Sequence, residues 1–151
     1  MIIGCTGNYR KSEYLDIITY INNFLVKKNI RCVISSDLFN ADNINEDDIA
    51  RSFDIIEFSE LENISDIILC IGGDGTFLST ARRMENLDTP LLGIHIGGLG
   101  FLAEVSKENL NQSLQYIVDK QYKIEDRMRI ELSIKQKNNL EHFIALNDIV
   151  V

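Results

Sequence analysis

The 151-residue sequence predicts an α/β fold: a doubly wound, Rossmann-like parallel sheet, followed by the first strands of a truncated β-rich second domain. Three observations point there. Unbroken apolar runs such as Ile67–Ile71 read as strands covered on both faces. Segments of helical period alternate with them up to about Tyr122. Beyond that point the period changes to two. The expected division is an α/β domain over residues 1–122 and the start of a second, β-rich domain over 123–151.

Met1–Cys5 is a short apolar run closed by Gly7, a first strand and its turn. Ser12 stands where a cap belongs, and Tyr14, Ile17, Ile18, Ile21, Phe24 and Leu25 recur at helical spacing. That helix is expected to stop near Lys27-Lys28-Asn29, with basic residues at its negative end. Arg31–Ser35 reads as a second strand. Asp37–Ala50, acidic and rich in asparagine, reads as an exposed loop, and Asp54–Phe58 as a short strand. The strongest strand, Ile67–Ile71, runs into Gly72-Gly73-Asp74-Gly75-Thr76. A helix carrying Phe77, Leu78, Ala81 and Met84 follows and ends before Pro90, the single proline.

Pro90–Ile94 reads as the next buried strand, continued by a second glycine-rich stretch, His95–Leu102. Ser106 looks like a helix cap, ahead of Leu110, Leu114, Ile117 and Val118 on one face. Past Tyr122, Ile130, Leu132 and Ile134 alternate with polar residues, as in an antiparallel strand with one wet face. Lys137-Asn138-Asn139 supplies a turn, and Leu140–Val151 returns as an apolar strand interrupted by Asn147-Asp148. The run closes without a polar tail. The expectation is a truncated second domain, and a chain that by itself self-associates and does not turn over.

Gly72–Thr76 is where chemistry is expected. Strand, glycine turn and helix start bring backbone N–H groups together on an anion. Glycine lets the main chain approach a phosphate, since no Cβ stands in the way. Asp74 then sets a carboxylate beside that anion, which suits a metal ion or a substrate hydroxyl between them. The plainer alternative is a tight turn in which Asp74 caps the helix. Both glycine stretches follow strands at their carboxyl ends, so they can face one crevice.

Composition narrows the partners. A net charge of −8, from 15 basic and 23 acidic residues, leaves no basic stripe for nucleic acid. It also leaves a phosphate site dependent on backbone N–H groups and Mg²⁺, or on cations from other chain. Met1–Gly7 is too short for a signal core and runs into Arg10-Lys11. No apolar run reaches the length of a membrane span. A cytoplasmic protein with no membrane partner is expected. Cys5, Cys32 and Cys70 are odd in number and sit in apolar segments, as buried free thiols do.

The motif Gly72-Gly73-Asp74-Gly75-Thr76 resembles the nucleotide loop of NAD kinases, of diacylglycerol and sphingosine kinases and, more distantly, of phosphofructokinases. The second stretch separates them. Gly93-Ile94-His95-Ile96-Gly97-Gly98-Leu99-Gly100-Phe101-Leu102 lacks the Asn-Asp pair of lipid kinases and is similar to the NAD kinase pattern G-x-x-x-G-x-L-G-F-L. Ala145-Leu146-Asn147-Asp148 resembles that family's N-E/D motif, with aspartate for the commoner glutamate. Three motifs in order span most of the chain, which thereby resembles the amino-terminal part of an NAD kinase, most like the Gram-positive branch, which can carry histidine at the position of His95.

That resemblance implies transfer of the γ-phosphoryl of ATP, or of polyphosphate, with Mg²⁺, to the 2′-hydroxyl of the adenosine ribose of NAD. It implies Asp74 as the catalytic carboxylate and Gly72, Gly73, Gly75, Thr76, His95, Gly98, Phe101, Asn147 and Asp148 as substrate-binding residues. It also implies a homo-oligomer, dimer or tetramer, for the full-length protein. A weak base suffices because the loose transition state asks little of the attacking oxygen. His95 can touch phosphate or the nicotinamide side, or satisfy a carbonyl. Phe101 can line a pocket or pack in the core, and Asn147-Asp148 can form a turn or bulge. A lipid kinase and a nucleotide-binding module without turnover are the competing readings.

Overall fold

The computed structural model describes residues 1–40, 51–97, 100–136 and 139–146. Five parallel strands form the main sheet: β1 (Ile2–Gly7), β2 (Arg31–Ser35), β3 (Asp54–Ile56), β4 (Ile67–Gly72) and β5 (Leu91–His95). Their spatial order is β3-β2-β1-β4-β5. The chain starts in the middle, winds outward through β2 to β3, then crosses to β4 and β5 on the other side. The direction of winding therefore reverses between β1 and β4. In register Gly7 lies beside Ile71, so the ends of the two central strands open onto one crevice.

Helices cover both faces: α1 (Tyr14–Val26), α2 (Phe58–Ile64), α3 (Asp74–Arg83) and α4 (Leu110–Val118). Strand periodicity sorts them. Ile3, Cys5, Cys32, Ile34, Ile67, Leu69 and Ile71 point to one side, against Ile17, Ile18, Ile21 and Leu25 of α1 and Leu110, Leu114 and Ile117 of α4. Val33 and Ile68 point to the other, against Phe58 and Leu61 of α2 and Met84 just past α3. All six residues of β4 are buried, as its unbroken apolar run requires. An antiparallel hairpin, β6 (Arg129–Gln136) and β7 (Asn139–Leu146), follows. Arg129 Nη1 donates to the Met84 carbonyl at 2.9 Å and ties the hairpin to the end of α3.

Several local expectations shift. Ser12 does not cap α1: Glu13 is the cap residue, without a side-chain bond, and Ser12 Oγ donates to the Glu13 carboxylate instead. The segment after Ser35 begins as a 3-10 turn, Ser36–Asn40, because Leu38 buries itself in the core; residues 41–50 lie outside the described ones. β3 stops at Ile56, and Phe58 opens α2, a seven-residue helix too short for the sequence to show a period. A buried carboxylate explains why it forms there. Glu62 accepts the backbone N–H groups of Glu85 and Asn86 at 2.9 and 3.1 Å, stapling α2 to the turn after α3. Ser106 accepts from the Asn109 N–H and caps a preceding turn, so α4 itself begins only at Leu110.

Candidate functional site

The chain leaves β4 at Gly72 and enters α3 at once, with Gly73 as an extended cap residue. The first turn of α3 is Asp74, Gly75 and Thr76, and Phe77 is the first residue whose N–H bonds back, to the Gly73 carbonyl at 3.0 Å. The N–H groups before it stand at the positive end of a ten-residue helix, without intrahelical partners. Loop glycines fall into two kinds. A Cβ at Gly72 would strike the Thr76 side chain, so packing alone explains that glycine. At Gly73 and Gly75 a Cβ would meet nothing within 4 Å, and neither residue has positive φ. Folding among the described residues does not require glycine there. A ligand that approaches the backbone does.

Asp74 has a second task that its place in the motif does not announce. Its Oδ2 accepts the Phe101 N–H at 2.8 Å, and its Oδ1 accepts those of Leu102 and Ala103 at 3.0 and 3.4 Å. These bonds, that of Phe101 foremost, hold the Asp74 carboxyl below its ordinary range, and nearby His95 adds in the same direction. The carboxylate thus latches the Gly72–Thr76 loop to the second glycine stretch. Gly100 belongs to the latch, since a Cβ there would fall on the carboxylate itself.

Other predicted residues gather around this latch. His95, at the end of β5, pairs in register with Gly72 and is buried; its Nδ1 lies 3.3 Å from the Gly97 carbonyl, while its buried Nε2 has no partner among the described residues. Gly97 takes a φ of 97°, a left-handed turn that favours glycine. Phe101 is fully exposed, which removes the core-packing alternative for its ring. Gly98, Asn147 and Asp148 lie outside the described residues.

On the far side of the same loop, Gly75 and Thr76 border a cleft of about 450 Å³ at the crevice between β1 and β4. Its other walls include Thr6, Asn8, Arg10, Asp37 and Arg83. Two arginines thus place positive charge beside the loop in a chain of net charge −8. The sequence carried a signal for Arg10, a basic residue just after a strand-ending glycine. Arg83 had none, because its place depends on α3 returning over β1. No three His, Cys, Asp or Glu side chains gather as a metal cage among the described residues. Nor is any described helix long and apolar enough to cross a membrane.

Comparison with known proteins places this geometry. The model of the ATP-NAD kinase N-terminal domain matches residues 3–122. An NAD kinase of Christiangramia forsetii is 33% identical over 156 aligned positions, covering 100% of this chain and 52% of its own length. One of Marinomonas sp. is 35% identical, with 99% and 49% covered. One of Clostridium beijerinckii is 37% identical, with 90% and 44%. The chain therefore spans about half the length of the curated relatives it matches. Among solved structures, yeast NADH kinase complexed with NADH superposes with a TM-score of 0.68 at 18% identity, over 97% of this chain and 46% of that one. An Archaeoglobus fulgidus NAD kinase in complex with ATP gives 0.58 at 22%, over 93% and 45%. These two likenesses concern the fold alone. With the domain model matched over most of its length, the chain belongs to the NAD kinase family.

Proposed function

We propose that the protein acts as an NAD kinase, making NADP from NAD with ATP or polyphosphate as donor. The observation that carries this reading is the loop Gly73-Asp74-Gly75: two glycines that the fold does not need, flanking a carboxylate kept ionised at the head of a helix. Backbone N–H groups there receive phosphate. Asp74 Oδ1 accepts two N–H groups but Oδ2 only one, so Oδ2 keeps a lone pair for the ribose 2′-hydroxyl. A weakly basic carboxylate serves, because it aims the oxygen more than it strips it. The O2′–Pγ bond forms, the bond from Pγ to the β–γ bridging oxygen breaks, and the hydroxyl proton leaves through Asp74 to solvent. Mg²⁺ enters as part of the donor complex. On the same reading Gly98 and Phe101 border the dinucleotide, the orphaned Nε2 of His95 finds its partner on ligand, and Asn147 and Asp148 serve the acceptor side.

Support comes from family membership and from relatives whose structures hold NADH and ATP. The family match is to the NAD kinase model, which weighs against a lipid kinase. A cytoplasmic homo-oligomer, with a domain boundary near Tyr122, completes the reading. The test is incubation of the full-length protein with NAD, ATP and Mg²⁺, reading NADP, beside a parallel assay with a diacylglycerol; titration of NAD and ATP gives a second readout. NADP formed by the wild type and cut ~10²–10⁴-fold in Asp74→Asn is the expected result. Binding of neither nucleotide, or full turnover in Asp74→Asn, would overturn it.

A further inference from the structure

The turn that follows α3 is fixed more firmly than a connection needs. Glu62, buried in α2, accepts the N–H groups of Glu85 and Asn86. The Asn86 side chain and the Thr89 hydroxyl both donate to the Glu62 carbonyl, at 3.2 and 2.8 Å. Met84, at the head of the turn, is buried, and its carbonyl accepts Arg129 Nη1 at 2.9 Å. No other hydrogen bond joins the hairpin to α3 or to this turn among the described residues. Arg129 opens β6, and its partner in register is Leu146, the last residue of β7. Asn147 and Asp148 come next in the chain. We infer that Arg129 is a positioning residue for the acceptor side: by gripping the end of α3, it sets where β7 delivers Asn147 and Asp148. The inference rests on the NAD kinase reading above, in which those two residues serve the acceptor.

The helix between the two points acts as a ruler. Asp74 stands at the first position of α3 and Met84 just past its last, about 15 Å apart on a ten-residue rod. One end carries the carboxylate that aims the hydroxyl, and the other carries the hairpin through Arg129. A second observation brings the same ends together. Arg129 and Leu146 border, with Phe101 and Leu102, one cavity of about 860 Å³. Phe101 and Leu102 are the residues whose N–H groups Asp74 accepts. The end of the hairpin that Arg129 holds is thus the end beside the latch.

The chemistry of the contact suits register more than bulk stability. The carboxyl end of a helix is its negative pole, so a guanidinium is favoured at the Met84 carbonyl. Packing of α3 against β7 supplies cover, but apolar contact resists sliding less than a directed bond does. Glu131, by contrast, pairs with His142 inside the hairpin and fixes nothing outside it.

Full-length protein carries the test, by steady-state kinetics with NAD and ATP and by calorimetric titration of NAD. Arg129→Gln should raise KM for NAD about tenfold and leave KM for ATP within about twofold of wild type. Arg129→Lys keeps a cation at the helix end and should retain a loss of only about threefold. Combined with Asn147→Ala, Arg129→Gln should add little beyond the larger single effect, since both act on one contact. A residue that merely stabilised the fold would lower Tm, weaken both substrates alike and multiply the effect of Asn147→Ala; that outcome overturns the inference. Should Arg129→Gln not fold, Arg129→Lys takes its place in the cycle, and unchanged KM for NAD there overturns it equally. Wild type that binds NAD without forming NADP sinks the proposed reaction, and the calorimetric cycle then decides the inference; wild type that binds no NAD overturns both. NADP formation with KM for NAD unmoved in Arg129→Gln sinks the inference alone.

Discussion

The five-stranded sheet and the hairpin β6–β7 are made of similar material and end in different states. In β4 every residue is buried, because α1 and α4 cover one face of the sheet and α2 and α3 the other. In the hairpin, Ile130, Leu132 and Ile134 lie in register with Ala145, Phe143 and Glu141, so one face is largely apolar. Yet Ile134, Leu140, Phe143 and Ile144 are all exposed. A two-stranded sheet can satisfy its inner hydrogen bonds, but α3, packed against β7, leaves these apolar side chains uncovered. Stability follows cover more than sequence.

Mutation should break the symmetry of composition most visibly at matched leucines. Leu69→Ala, fully buried in β4, should cost ~2–5 kcal/mol by urea unfolding, whereas Leu132→Ala in the hairpin should cost well under half as much. Equal losses would mean that the hairpin is covered as the sheet is. Next comes the staple. Glu62→Ala leaves the N–H groups of Glu85 and Asn86 without their acceptor and should cost ~1–3 kcal/mol, mostly through those two lost bonds.

A smaller effect should separate folding from ligand approach within one loop. Gly100→Ala should disturb the Asp74 latch, speeding amide exchange at Phe101, Leu102 and Ala103. Gly73→Ala should leave those amides untouched and weaken nucleotide binding instead. If Gly73→Ala also unlatched them, its openness to ligand would be illusory. Acid sharpens the same point. Because the Asp74 carboxyl is held below its ordinary value of ~3.9, the latch is fully present above that pH. It is lost only as pH falls through the lowered value. Protection of the three amides should therefore persist past the pH at which exposed carboxylates have titrated.

The smallest change should be none at all. Cys5, Cys32 and Cys70 are buried free thiols; burial pushes Cys70 up to about 11, and the Cys5 thiol, hydrogen-bonded to Cys32 and buried, is raised as well. A thiol reagent should leave all three unmodified in native protein and label them after unfolding. Rapid labelling of Cys5 or Cys32 would show that the sheet opens locally.

Much of the scaffold was legible. β2 agrees end for end with Arg31–Ser35, and β4 with the apolar run before Gly72, since a strand covered on both faces needs apolar residues at every position. The motif marked Asp74 and its glycines correctly as the meeting of strand and helix. What escaped was everything joined across distance. α2 was invisible because seven residues make fewer than two turns, too few for a spacing to repeat, and Glu62, which anchors it, reads in sequence as one more surface acid.

The chain's apolar spacing decided where most strands and the longer helices lie, because local periodicity chooses the face each must bury. Only the tertiary structure decided what the charged residues do. Asp74 meets Phe101, Asp37 meets Arg83, and Glu62 meets Asn86 across gaps that no local pattern spans. A side chain's periodicity is set by its own backbone, but its electrostatic partner is set by whichever strand the winding brings alongside. For Asp37 and Arg83 the meeting falls at the crevice where the winding reverses, between β1 and β4.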